Sequence, residues 1–222
     1  MDRALTWRPY WDALPHWGRR GVLAGIGLLV ILLLTVGGWY WWERQREAGQ
    51  TAFDQAFVLY RQAMASGAPE LSGQARQALE GVAKRYPRHS TAPLASYALG
   101  NLHYRARDYD KAVASFEQAA RTGRGGLRGV SQLGLGYALE GRGETARAMA
   151  VYQDALGERN TKDPFYGEFL LALARTQVAM KRPGDARETY QRFLRELPSA
   201  PQAEDVKIRL IRLASLEEAR TP

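Results

Sequence analysis

The chain has 222 residues, with 31 lysines and arginines against 23 aspartates and glutamates and a formal net charge of +8. It contains no cysteine, which excludes a disulfide framework, a thiolate metal site and the acylated cysteine of a bacterial lipoprotein. Both signs of charge are interspersed through most of its length, so the mild basicity does not imply a nucleic-acid partner.

Residues 1–20 form a short tail that carries Arg3, Arg8, Arg19 and Arg20 together with Trp7, Tyr10, Trp11 and Trp17. Residues 21–42 then hold no charged side chain, and their centre reads Leu28-Leu29-Val30-Ile31-Leu32-Leu33-Leu34. A bilayer core needs roughly 20 apolar residues in a helix, because lipid offers no partner to backbone polar groups. A cleaved signal peptide has a shorter apolar stretch of about 7–15 residues and small residues at its cleavage site. Here Trp39-Tyr40-Trp41-Trp42 stand in that place. A buried core helix rarely lacks polar residues on every face. The run is therefore expected to be one uncleaved transmembrane helix.

Four arginines precede the run, and Arg44 and Arg46 follow it beside Glu43 and Glu47. Basic residues near a span favour the cytoplasmic side. The expected topology is N-terminus inside, with the C-terminal domain outside the cytoplasm. Gly21 and Gly25 have the spacing that lets a second transmembrane helix approach closely.

Beyond residue 42 the chain repeats itself. Leu99-Gly100, Tyr109, Ala112, Phe116 and Ala119 are answered 36 residues later by Leu135-Gly136, Ala148, Tyr152 and Ala155. After 38 more come Leu173-Ala174, Ala186, Tyr190 and Phe193. A weaker earlier copy ends in Ala75, Leu79 and Pro87. These spacings resemble the tetratricopeptide repeat, a helix–turn–helix unit of about 34 residues. The resemblance implies an all-α chain: one N-terminal transmembrane helix, then a short α-solenoid over 43–222. Repeats are expected at about 51–87, 93–124, 129–162 and 167–198, with a capping helix over 200–217. Turns are expected at Arg107-Asp108, Gly141-Arg142-Gly143 and Pro183-Gly184-Asp185, and loops over 122–128 and 157–164. Phe53, Phe57, Tyr60 and Met64 recur at helical spacing as an N-terminal cap, and Val206, Leu210 and Leu213 line one face of the last helix.

No catalytic constellation accompanies the repeats. His16, His89 and His103 lie far apart in sequence, and the Gly123–Gly126 stretch lacks the strand and the lysine of a phosphate-cradling loop. No enzyme, cofactor or metal is expected. A solenoid offers its concave face, lined by the first helix of each repeat. The repeat register places Tyr97, Asn101, Tyr104 and Arg105, then Leu133, Tyr137 and Glu140, then Leu171 and Arg175 there. Aromatic, amide and guanidinium groups suit an extended peptide or a partner helix. Packing of some of these residues against a terminal helix is the competing expectation. Asn101 and Arg105 fall near the carboxylate-clamping positions of some tetratricopeptide domains, but Gly134, Glu168 and Ala172 occupy the others, so that chaperone-docking activity is not implied.

The whole plan resembles the bacterial family of ancillary subunits of the SecYEG translocon, inner-membrane proteins with a periplasmic tetratricopeptide domain. That resemblance implies a single-pass protein of the inner membrane that acts as an adaptor for other proteins during translocation or envelope protein assembly. The alternative is a stoichiometric accessory subunit of a larger membrane complex, respiratory or photosynthetic.

Overall fold

A computed structural model describes residues 15–218, all of whose regular structure is helical. Arg3, Trp7, Arg8, Tyr10 and Trp11 of the predicted tail lie outside the described residues. Contacts divide the chain into two units, Met1–Ala48 and Gly49–Pro222. Helix α1 is assigned over His16–Ser66, so its first part falls in the first unit and its last turns in the second.

Within the first unit, α1 is long and apolar enough to cross a membrane. Its most apolar window of 18 residues has a mean hydropathy of 2.1, and none of it is buried in the protein. Leu28, Leu32 and Leu34 are all well exposed. The one hydroxyl in the aliphatic stretch, Thr35, donates to the Leu32 carbonyl at 2.9 Å, which leaves no polar group unsatisfied there. At the far end Arg44 lies 5.3 Å from the Tyr40 ring centroid and Arg46 lies 4.7 Å from that of Trp42. Such cation–aromatic pairs suit the headgroup level. Nothing lies within 4 Å of where a Cβ would project from Gly21 or Gly25.

The second unit is a tetratricopeptide-like solenoid of helix hairpins. The last turns of α1 pair with α2 (Pro69–Arg85), α3 (Ala92–Arg105) with α4 (Tyr109–Thr122), and α5 (Gly125–Gly141) with α6 (Thr145–Gly157). Helix α7 (Tyr166–Ala179) pairs with α8 (Pro183–Glu196), and α9 (Ala203–Glu218) packs on α8. Each hairpin turn contains one residue in the left-handed region: Gly67 (φ 69°), Arg107 (φ 60°), Gly143 (φ 84°) and Lys181 (φ 58°). The last three close the same way. The amides of Asp108, Glu144 and Arg182 donate to the carbonyls of His103, Leu139 and Gln177, each at 2.9 Å. That bond satisfies carbonyls the ending helix would otherwise orphan.

Two boundaries differ from the sequence expectation. The last hairpin turns at Lys181, and Pro183-Gly184-Asp185 form the first turn of α8. Proline is favoured at that first helical position because its missing N–H has no intrahelical acceptor. The expected loop over 122–128 shrinks to Gly123 and Arg124, because α5 starts at Gly125 (φ 52°) rather than near 129. Arg128 is thereby helical and pairs with Glu158 at 2.9 Å.

Aromatic rings wedged against glycines set the spacing of the hairpins. The Phe116 ring lies against both Gly100 and Gly134, where an added Cβ would come within 2.6 Å of it. Tyr152 abuts Gly136, and Tyr109 abuts Gly141, still more closely. Phe116, Tyr152, Phe169 and Phe193 are fully buried and carry the core from α4 to α9. A second cluster joins Phe53, Leu79, Val82, Leu99 and Leu102 at the N-terminal end. Burying each such side chain contributes roughly 1.5–3 kcal/mol.

Candidate protein-interaction site

The first helices of the hairpins bring five of the nine residues nominated from the repeat register into one groove. Tyr97, Asn101 and Tyr104 descend one face of α3, at the i, i+4, i+7 spacing of a helix. Leu133 and Tyr137 face them from α5, and Phe116 forms the floor. The groove encloses 270 Å³ and is mainly apolar. Tyr97 tilts against Phe116 with ring centroids 5.9 Å apart, and Tyr104 meets Tyr109 edge-on at 5.7 Å. Tyr104 is 39% exposed, whereas Leu133 is buried and contributes only its inner surface to the floor.

The other four nominated residues are used differently. Arg105 donates to the Met64 carbonyl at 2.7 Å, and Asn101 Nδ2, although in the groove, donates to the Tyr60 hydroxyl at 3.1 Å. Both therefore tie α3 to the terminal helix. Leu171 packs against the core. Glu140 and Arg175 form an ion pair at 2.8 Å. The same carboxylate accepts a 2.6 Å hydrogen bond from the Tyr152 phenol, and the Arg175 guanidinium lies 5.0 Å from the Tyr137 ring centroid. Burial opposes the Arg175 charge, but the adjoining Glu140 more than offsets that and raises its pKa above the ordinary guanidinium value. Burial, and then the neighbouring Glu140, push the Tyr152 phenol far up. Tyr152 stays protonated and donates.

Sequence reasoning missed a second groove beyond this pair. It holds 500 Å³ between α7 and α9, with Val178, Ile208 and Leu213 alongside Tyr190, Arg209 and Arg212. The signal was present: Ile208 and Ile211 stand three apart, off the face formed by Val206, Leu210 and Leu213.

His103 is packed into the solenoid. It is buried, its Nδ1 lies 3.9 Å from Asp108 Oδ2, and that nitrogen has no hydrogen-bond partner among the described residues. Burial depresses its pKa, with Asp108 acting in the opposite direction. Among the described residues no group of three His, Asp or Glu could hold a metal ion.

No protein of curated function matches the chain significantly. Among solved structures, the chain is similar to a thermophilic TPR protein of Thermus thermophilus. That likeness has 21% identity and a TM-score of 0.47, and it covers 82% of this chain and 96% of that one. The family described as the tetratricopeptide repeat-like domain matches residues 15–218. Folds of this kind serve as scaffolds that bind other proteins. With the family spanning both the apolar helix and the hairpins, the chain belongs to the tetratricopeptide repeat-like domain family.

Proposed function

We propose that this protein is a membrane-anchored adaptor that binds partner proteins through the concave face of its solenoid. The observation that carries this reading is the open, aromatic-lined groove between α3 and α5, with Tyr104 presented to solvent beside Tyr97 and Tyr137. Such a groove provides apolar area with rigid rings and few charges, as segments recognised by their side chains require.

The apolar stretch of α1 supplies the anchor in this reading. The arginines before it support, in the same reading, an N-terminus in the cytoplasm and a solenoid on the periplasmic side of a bacterial inner membrane. The clients are proteins emerging from, or being assembled at, that membrane, and the role is ancillary to translocation. No catalytic group is invoked. One observation favours a second reading, a stoichiometric subunit of a larger membrane complex: Gly21 and Gly25 leave open space on α1 where another span could pack.

Purification in gentle detergent separates the two. A spread of substoichiometric clients is expected for the adaptor, and one fixed stoichiometric complex would identify the subunit. Reporter fusions after residue 222 test the topology, with a periplasmic phosphatase active and a cytoplasmic reporter silent as the expected result.

A further inference from the structure

The groove between α7 and α9 differs in chemistry from the aromatic one. Val178 is 40% exposed, Ile208 56% and Ile211 71%, so the last helix turns an apolar stripe to solvent. Of its other apolar residues, Val206 and Leu213 are buried against the solenoid. Ile208, Ile211, Arg212 and Ser215 follow one another at the i, i+3, i+4, i+7 spacing of a single helical face. A terminal helix that only closed a solenoid would carry polar residues on that outer face.

The charges beside the stripe are mostly accounted for. Arg209 is held by Asp205 at 2.7 Å and is further supported by the Tyr190 phenol. Arg175, at the inner end, is held by Glu140. The guanidinium of Arg212 has no ion pair or hydrogen bond among the described residues. An exposed apolar face beside a cation that no described carboxylate pairs with is complementary to a helix with an apolar face edged by carboxylates.

We propose that the α7–α9 groove docks an acidic amphipathic helix of a partner protein, whose apolar residues cover Val178 and Ile208 and whose carboxylate pairs with Arg212. This rests on the reading of the protein as an interaction scaffold and adds to it a second site and a partner chemistry. The aromatic groove and the α7–α9 groove then form two subsites on either side of the Glu140–Arg175 pair.

The test uses the full chain in phosphatidylcholine nanodiscs, with empty discs as the blank. The probes are a fluorescein-labelled synthetic helix with leucines on one face flanked by glutamates, and its sibling with lysines replacing the glutamates. Fluorescence anisotropy is expected to show the glutamate peptide binding on the order of tenfold more tightly at low salt. The preference should shrink near ~1 M salt, where charges are screened within about 3 Å. Arg212→Glu should abolish it, and Ile208→Ser should weaken both peptides while helix content stays unchanged. Equal binding of the two peptides, or a preference that survives Arg212→Glu, would overturn the proposal. So would a concentration-dependent dimer abolished by Ile208→Ser, because the occupant would then be a second copy. Crosslinking from Tyr104 in parallel keeps the two claims apart. No peptide preference with client crosslinks intact removes this site alone, and loss of those crosslinks as well removes the scaffold reading beneath it.

Discussion

Arg175 reaches across a repeat boundary to hold Glu140 at 2.8 Å, while Tyr152 donates to the same carboxylate at 2.6 Å. Two residues nominated separately for partner binding thus neutralise each other and lock α5 to α7. A double-mutant cycle of Glu140→Gln and Arg175→Gln, read by thermal melting, should give a coupling on the order of 1 kcal/mol. The pair is partly exposed, and solvent limits what it contributes. Additive effects of the two substitutions would mean that the pair does not hold the repeats together.

The glycines facing aromatic rings should be intolerant of a single methyl. Gly136→Ala drives a Cβ into the Tyr152 ring, and Gly134→Ala drives one into Phe116. Overpacking of this kind costs about 1–3 kcal/mol. Gly81, inside α2, has nothing within 4 Å of that position, so Gly81→Ala should instead stabilise by about 0.5–1 kcal/mol through helix propensity. Circular-dichroism melts of the three variants should order them Gly81→Ala above the parent and the other two below it.

The same rings explain why the solenoid is readable from sequence. A buried ring and the small residue that receives it must recur together, so Gly100 with Phe116 and Gly136 with Tyr152 print the repeat into the sequence at a fixed spacing. Turn positions are less legible. Arg107 and Lys181 adopt positive φ without being glycine, and at the last turn Pro183-Gly184 draws attention to the start of the following helix. Position within a repeat also says which way a side chain faces but not what it meets. Arg105 and Asn101 stand on the concave side as the register implies, yet the carbonyl of Met64 and the hydroxyl of Tyr60, 41 residues earlier, take up their hydrogen bonds. The Ile208–Ile211 stripe is hard to see in sequence because α9 carries two apolar faces, and only the inward one matches the expected cap.

His103 predicts a pH dependence. Its folded pKa lies below the ordinary value near 6.5, because burial disfavours the imidazolium more than Asp108 favours it; Arg76 and Lys111 also oppose the charge, and Glu80 supports it. The unfolded chain therefore takes up the proton first as pH falls. Stability contributed by neutral His103 is intact above about pH 7 and is lost as pH drops through about 6.5 toward the folded value. His103→Phe keeps a ring in the slot and removes the titration. The fall in melting temperature between about pH 7 and pH 5 should be smaller in the variant than in the parent. An identical fall in both would show that His103 does not titrate on unfolding.

The groove tyrosines should separate binding from folding unequally. Tyr97 and Tyr137 also pack on Phe116 and Tyr152, so alanine there should lower the melting temperature as well as partner capture. Tyr104 is the exposed member, and Tyr104→Ala should weaken capture with helix content and melting close to the parent. Capture unaffected in Tyr104→Ala would remove that residue from the site.

The central claim, that partner proteins bind in the concave groove, is tested most directly by placing a photo-crosslinking amino acid at position 104 in the full chain and irradiating native membranes. A control on the solvent-exposed side of α4, at Glu117, reports unspecific proximity. The account predicts discrete protein adducts from position 104 that are absent from position 117 and reduced when Tyr97 and Tyr137 are replaced by alanine. Adducts of equal yield and identity from both positions, or none from position 104, would contradict it.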